Sequence, residues 1–369
     1  MEVVIRVDAS IRIGLGHVMR CRTLAHELVR QGATVRFITR AHAGHCIDRL
    51  KGDGFAVHPL PAPRFEASGD TDYAGWLGVS VAEDAEQTAA AIPDSVDWLI
   101  VDHYGLDENW EAALRWHARR IFAIDDLANR PHNCDLLLDQ NYAGDGVDRY
   151  KGLVPTVCKQ LLGPRFAMLH PAFQENRPVD IDKPEKYRAI ERIFVFFGGT
   201  DPDNLTGRAL QALSEPDLTH SVVDCVVGAN NPHQSMLAEI AEQRGNIRLH
   251  APQPHLADLM ARADLAIGAG GTTTWERCAL GLPSIVVSIA ENQRSACEAL
   301  ARDDYIDYLG HHDTVTVPQI ADAIRALINQ PDTRHRLARA SADLVDGQGT
   351  QRVVESMMEM TKKASAVCH

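Results

Sequence analysis

The sequence has no C-x-x-C pair, no run of lysines or arginines, no short-period repeat and no low-complexity tract. Each absence excludes something. Eight scattered cysteines without an export signal read as reduced thiols that fill cores, which predicts a cytoplasmic protein without disulfides. The opening "MEVVIRVDAS" interrupts its apolar run with Glu2, Arg6 and Asp8, so it is neither a signal peptide nor a membrane span. A formal net charge of -13 with no basic run argues against nucleic acid, whose phosphate backbone calls for a basic surface. The lack of a repeat argues against a solenoid. There is no G-x-x-x-x-G-K-[ST] phosphate loop, no G-x-S-x-G nucleophile elbow and no H-E-x-x-H. "HAGH" (42–45) spaces two histidines by three but lacks further ligands, so no metal site is expected.

What is present is an alternation. With 369 residues the chain is long enough for two domains, each with its own core. Strands are predicted at 3–8, 34–39, 97–102, 120–125 and 135–140, then at 192–199, 221–228, 246–250, 264–271 and 283–288. Helical patterns fall between them, near 17–31, 43–52, 81–91 and 107–118, and near 204–213, 233–244, 255–262, 272–280 and 292–302, with more from 318 onward. Strands alternating with helices predict an α/β fold of parallel sheets covered on both faces. The Pro-rich, charged stretch 170–192 separates two such series. The expected organisation is an N-terminal Rossmann-like lobe over 1–175, a linker over 176–190, a second Rossmann-like lobe over 191–345 and a C-terminal helix or tail over 346–369. Two doubly wound lobes whose parallel sheets face a central cleft would bind a ligand at the carboxyl ends of their strands.

Three stretches carry the chemistry. "DASIRIGLGHVMRC" (8–21) places Gly14, Leu15, Gly16 and His17 where the first strand passes into the first helix. Glycines permit a tight turn and close approach of a ligand, and a helix start favours phosphate or another anion. Met19 occupies the third position of an incomplete G-x-G-x-x-G, and the usual acid after the second strand is missing, so a dinucleotide fingerprint is weak. A histidine at a helix start is more often a capping or packing residue. Here the Gly-x-Gly before it favours general-base work. "GAGGTTTWERCALGLPSIVVSIAENQ" (268–293) places Gly271 and Thr272 at a second turn, with Thr272 to Thr274 able to cap a helix and donate to a diphosphate. Glu276 then sits in the first helical turn. It is either a residue that complements the helix dipole or an acceptor for two ribose hydroxyls. "FFGGTDPDN" (196–204) supplies Gly199 and Thr200 in another strand-to-helix turn, which in itself is an ordinary tight turn.

These blocks resemble a known family. "RVDASIRIGLGHVMRCRTLAHEL" is similar to the start of the UDP-2,4-diacetamido-2,4,6-trideoxy-β-L-altropyranose hydrolases, the PseG family of pseudaminic acid biosynthesis. "VDHYGLD" (101–107), "LLLDQN" (136–141), "LLGPRFAML" (161–169), "FFGGTDPDN" and "GAGGTTTWE" followed by "ENQ" resemble further family blocks in the same order, over residues 1 to about 300. The last block is shared with MurG-like glycosyltransferases. The resemblance implies a GT-B fold with UDP held mainly by the C-terminal half, and loss of UDP by water attack on the anomeric carbon with inversion. It implies His17 as base, and Tyr104, Glu276 and Asn292 as contacts to sugar or nucleotide. Asn141 and Gln293, in the same blocks, join Gly14, Leu15, Gly16, Gly199, Thr200, Gly271 and Thr272 as expected substrate contacts. One departure is visible: "LHPAF" (169–173) places His170 and Ala172 where the family often has an arginine and a glutamate.

The chemistry is consistent with that resemblance. Ordinary glycosidases use two carboxyl groups because an alkoxide leaving group must be protonated. UDP leaves readily, so one base to activate water and donors on the diphosphate suffice, without metal or cofactor. The expected ligand is a UDP-sugar, bound by a monomer with no obligatory protein partner and no membrane association. Two alternatives share these features. A glycosyltransferase of the same fold needs the same base and UDP site, and a non-catalytic UDP-sugar binding module would keep the site and dispense with the base.

Overall fold

The computed structural model describes the chain except residues 70, 94, 145, 147, 184–188, 368 and 369, and it leaves the side chains of 363–367 undescribed. Part of the expected 176–190 linker and the end of the expected 346–369 tail therefore lie outside the described residues. Two compact units emerge. One comprises Met1–Asn141, Gly146–Met168 and Gln348–His369, and the other Tyr142–Asp145 and Leu169–Gly347.

The first unit runs β1 (Glu2–Val7), α1 (Gly16–Arg30), β2 (Thr34–Arg40), α2 (Ile47–Gly52), β3 (Ala56–Leu60), α3 (Val81–Ala91), β4 (Trp98–Asp102), α4 (Glu108–Leu114), β5 (Ile121–Ile124), β6 (Leu136–Asp139) and β7 (Lys159–Leu162). Its seven strands are parallel in the order β3-β2-β1-β4-β5-β6-β7. β1 is the pivot. The chain first builds outward through β2 and β3, then returns to β1's other side with β4. Connections after β1 and β4 consequently diverge, which opens a crevice at their carboxyl ends. Ile5 pairs with Ile100 and Val7 with Asp102, so the residues that follow these two strands emerge side by side.

The second unit runs α5 (Pro171–Glu175), β8 (Arg192–Phe196), α6 (Leu205–Leu213), β9 (Val222–Val226), α7 (Gln234–Arg244), β10 (Ile247–His250), α8 (Ala257–Met260), β11 (Leu265–Ala269), α9 (Thr273–Ala279), β12 (Ser284–Ser288), α10 (Glu291–Arg302), β13 (Asp307–His311), α11 (Val317–Asn329) and α12 (Pro331–Leu344). Its six parallel strands are ordered β10-β9-β8-β11-β12-β13. The reversal falls between β8 and β11. The turns carrying Gly199 and Gly271 are thus the two that flank this unit's crevice. A final helix, α13 (Gly349–Val367), belongs to the first unit. Its Val353, Val354 and Met357 join Val18, Leu24 and Trp98 in one core, and Trp98 Nε1 donates to Thr361 Oγ1 at 2.9 Å.

The central strands bury every residue of runs such as "WLIVD" and "SIVVS", the pattern expected when helices cover both faces of a sheet. Three strands are absent from the sequence-based expectation: β3, β7 and β13. All are edge strands, half exposed, and two interrupt their apolar character with Pro59 or Gly310. Proline is tolerated at an edge, where its missing N–H is not required by a neighbour. Helices α2, α4 and α8 are shorter than expected, because the flanking residues form turns or a 3₁₀ segment. Among the described residues no helix is long and apolar enough to cross a membrane.

Candidate active site

Gly14 has φ +78°, a conformation that favours glycine, and this turns the chain sharply after β1. Helix α1 begins two residues later, with Leu15 as N-cap and no side-chain cap. His17 therefore lies in the first turn of α1, at the pivot of the sheet, and is 9% exposed.

Asp102 ends β4 and meets it. His17 Nδ1 and Asp102 Oδ1 are 2.6 Å apart. Arg20, one turn along α1 from His17, grips the same carboxylate with Nε at 2.7 Å from Oδ2 and Nη2 at 2.7 Å from Oδ1. Arg20 Nη1 also reaches Asp126 Oδ2 at 2.6 Å, and the Tyr104 hydroxyl donates to that same oxygen at 2.7 Å. Burial alone would raise the Asp102 carboxyl, but the Arg20 guanidinium and the hydrogen bonds it receives hold it well below the usual carboxylate range. An ionised carboxylate only accepts, so Nδ1 must carry the hydrogen. The lone pair of neutral His17 is then on Nε2. Arg20 Nη2 lies 3.3 Å from Nδ1, a contact secondary to its bond with Asp102.

A second buried group lies behind this one. Asp8 at the end of β1 accepts both terminal nitrogens of Arg6 at 2.5 and 2.8 Å, and Arg40 shares Asp84 with Arg6. Arg40, considered in the sequence for a 2′-phosphate, is fully buried and committed to Asp84. His42 and His103 each place Nε2 3.6 Å from Asp8 Oδ2. His103 is pushed down to about 3 by burial, so it is neutral. Further along the sheet, Asp139 is pushed up to about 7 by burial and by the charge of Asp126, against the pull of Arg149.

Tyr104, expected as a substrate contact, is 6% exposed and spends its hydroxyl on Asp126. Its ring stands edge-on to His17 at 4.5 Å between centroids. Asn141 is half-buried, and its backbone N–H donates to Asp139 Oδ1 at 2.9 Å. His170 in the "LHPAF" stretch caps α5 by accepting the Ala172 N–H at 3.2 Å and stacks on His255 at 4.7 Å.

In the second unit the two turns at the strand reversal differ. After β8, Gly199 and Thr200 are half exposed, and Asp201 follows with φ +43°. Its carboxylate accepts the N–H groups of Leu205 and Thr206 at 2.9 and 2.8 Å, and Asn204 Oδ1 accepts Gly207 N–H at 3.1 Å. The first turn of α6 is thus satisfied from within, so these backbone donors are already committed. After β11 the opposite holds. Thr272 is the N-cap of α9 and makes no side-chain cap. Thr273 and Thr274 do not cap either: their hydroxyls accept from Arg277 at 3.1 Å each. Here the expectation of a threonine cap gives way to a buried arginine that needs acceptors. Gly270 is required by close packing, since a Cβ would lie 2.3 Å from Cys297 Sγ. Gln293 accepts the Ile289 N–H at 3.0 Å, and its amide nitrogen lies against Gly271, which ties the turns after β11 and β12 together. Asn292 is half-buried at the start of α10.

Glu276 lies in the first turn of α9. Its Oε2 is shut off from solvent and has no hydrogen-bond partner among the described residues. Burial pushes this carboxyl up to about 7, although Arg277 beside it opposes the rise. No group of three or more His, Cys, Asp or Glu side chains among the described residues is arranged to hold a metal ion.

Sequence reasoning singled out His17 and Glu276 but missed Arg20, Asp102 and Asp126. A signal was present: Asp8, Asp102, Asp125, Asp126 and Asp139 each close or follow an apolar strand run, and a parallel sheet delivers such residues to one end.

Residues 192–353 match the glycosyltransferase family 28 C-terminal domain. The protein from Campylobacter jejuni named UDP-2,4-diacetamido-2,4,6-trideoxy-beta-L-altropyranose hydrolase is 28% identical over 306 residues, covering 83% of this chain and 98% of that protein. The spore coat polysaccharide biosynthesis protein SpsG of Bacillus subtilis is 29% identical over 199 residues, covering 54% of this chain and 58% of its own. Among solved structures, MurG of Acinetobacter baumannii superposes with a TM-score of 0.64 at 13% identity, covering 97% of this chain and 99% of the other. The chain has a GT-B fold of two Rossmann-like units, matches the glycosyltransferase family 28 C-terminal domain over residues 192–353, and resembles the PseG hydrolases.

Proposed function

We propose that the chain is a UDP-sugar hydrolase, releasing UDP from UDP-2,4-diacetamido-2,4,6-trideoxy-β-L-altropyranose or a closely related sugar nucleotide. The observation that carries this reading is the 2.6 Å contact between His17 Nδ1 and an Asp102 carboxylate that stays ionised. It supports a role for the Nε2 lone pair in proton abstraction. Asp102, itself held by Arg20, orients the ring and stabilises the imidazolium that forms.

In the proposed reaction a water gives its proton to His17 Nε2, and its oxygen attacks the anomeric carbon from the face opposite the diphosphate. The bond from that carbon to the phosphate oxygen breaks, and its electron pair leaves with UDP. The configuration inverts. No acid needs to protonate this leaving group, in contrast to an alkoxide. The Gly14–Gly16 turn lets the diphosphate approach the uncapped start of α1. In the second unit Glu276 takes ribose hydroxyls, while Gly271, Thr272 and Asn292 serve the phosphates or sugar. The Glu276 oxygen, without a hydrogen-bond partner among the described residues, and the uncapped start of α9 support that assignment.

The test is hydrolysis of the trideoxy UDP-sugar in ¹⁸O-labelled water with no acceptor added. Label in the free sugar and none in UDP is expected. Label in UDP would mean attack at phosphorus and would overturn the mechanism. A second reading, transfer to an acceptor, is favoured by the likeness to MurG and by the family 28 domain. Release of UDP only when an acceptor is supplied would select it.

A further inference from the structure

We propose that Tyr73 and Trp76, backed by Tyr104, form an aromatic wall beside His17 that receives the apolar face of the sugar and selects deoxygenated, N-acetylated sugars. This rests on the reading of the chain as a UDP-sugar hydrolase and names what selects its substrate.

The wall begins with a redistribution of roles. Tyr104 touches His17, but it is buried and its hydroxyl is bonded to Asp126. Its ring is instead the backing for two others. Trp76 stacks on it at 5.8 Å with an interplanar angle of 30°, and Tyr73 meets it edge-on at 5.2 Å. Tyr73 and Trp76 contact each other at 4.8 Å. Both are only partly buried, so these two rings, rather than Tyr104, present aromatic surface.

The wall is held in place. Asp72 accepts the Ser68 N–H at 2.8 Å, the Ser68 hydroxyl at 2.9 Å and the Gly75 N–H at 3.0 Å. Gly105, next to Tyr104, lets the backbone of Tyr73 close in: a Cβ there would lie 2.5 Å from the Tyr73 carbonyl oxygen. The segment is thereby docked against the end of β4, where Asp102 holds His17.

One polar atom in the wall is unaccounted for. The indole N–H of Trp76 is shut off from solvent and has no acceptor among the described residues. A buried donor without a partner is unfavourable, and a ligand oxygen brought against it as the ring shifts would remove that cost. A carbonyl oxygen of an acetamido group is such an acceptor. The rings themselves favour methyl and methine groups, which they remove from water, over a hydroxymethyl group that would lose its hydrogen bonds to water. A 6-deoxy sugar with acetamido substituents presents that surface.

The experiment compares the unmodified protein with Trp76→Ala, Trp76→Phe and Tyr73→Ala, using the trideoxy diacetamido UDP-sugar and UDP-N-acetylglucosamine. Trp76→Ala is expected to raise KM for the trideoxy substrate about tenfold, with a smaller change in kcat, and to reduce the preference for it about tenfold. UDP affinity by calorimetry is expected to stay unchanged, which also certifies folding. Trp76→Phe is expected to restore most of the preference, since it restores the ring. Saturation-transfer NMR with the free diacetamido trideoxy sugar gives a readout without turnover: its methyl signals should receive saturation from the unmodified protein and lose it in Trp76→Ala. Methyl signals that depend on Trp76 in a protein that hydrolyses no UDP-sugar would end the hydrolase reading and leave the sugar wall standing. Hydrolysis by the unmodified protein, with preference and methyl signals unchanged in Trp76→Ala, would overturn the wall alone.

Discussion

The crevices of the two units are built at corresponding points of two parallel sheets, yet they treat their principal carboxylates differently. In the first, Arg20 links Asp102 and Asp126, while Arg6 and Arg40 share Asp84 and Arg6 grips Asp8, all from buried positions. In the second, Glu276 has a buried oxygen with no hydrogen-bond partner among the described residues, and Arg277 beside it turns to Thr273 and Thr274 instead. The first arrangement suits catalysis, where a base must be aligned before the substrate arrives. The cost of ordering it has been met on folding. The second suits binding, where an unsatisfied acceptor becomes favourable only when a ligand donates to it. The α6 turn shows that this is not a general property of the second unit, since Asp201 and Asn204 satisfy its donors from within.

The largest expected effect lies in the first unit. His17→Asn keeps polarity and approximate size but removes the base. Turnover of the trideoxy UDP-sugar should fall by roughly 10²–10⁴-fold with little change in substrate affinity. Steady-state kinetics paired with UDP calorimetry checks this, and near-normal turnover would remove His17 from the role. Next comes Asp102→Asn, which leaves the shape but lets the amide donate to His17 Nδ1 and so moves the ring hydrogen to Nε2. A fall in kcat on the order of 10²–10⁴-fold with unchanged UDP affinity is expected, as for other residues that fix a histidine tautomer. If kcat and UDP affinity fell together, the contrast between a catalytic and a binding unit would break.

The smallest effect concerns the second unit and is read in binding. Glu276→Gln should weaken UDP binding by about 1.5–3 kcal/mol for a lost charge-assisted hydrogen bond. The sign of the pH effect follows from burial. With its carboxyl pushed up to about 7, free Glu276 is largely protonated below that pH. A carboxylate that accepts two hydroxyls must be ionised, so UDP binding should release a proton below about pH 7 and tighten as pH rises toward it. Calorimetry in buffers of different ionisation enthalpy measures that proton, and subtracting the Glu276→Gln result removes the contribution of the nucleotide's own phosphate. Identical proton release in both proteins would show that Glu276 does not face the ribose.

How much of this was legible follows from the range of each interaction. The two strand–helix series, the Gly14–His17 turn and the position of Glu276 in a first helical turn were readable because they depend on neighbours within a few residues. The central strands were readable because both faces are covered, which imposes a continuous apolar run. Edge strands β3, β7 and β13 were not, because half of their surface meets water and selects no apolar pattern. The segment carrying Tyr73 and Trp76 bears no periodic signal at all. By itself, then, the sequence determined the alternation, the placement of glycines at turns and the histidine at the start of α1. Only the tertiary structure decided which carboxylate that histidine meets. Asp102 is 85 positions away from it, and Asp126 is 106 away from Arg20. No local pattern encodes such a meeting. It arises because parallel pairing of β1 with β4, and of β4 with β5, brings the ends of all three strands to one edge of the sheet, where burial forces opposite charges to find one another.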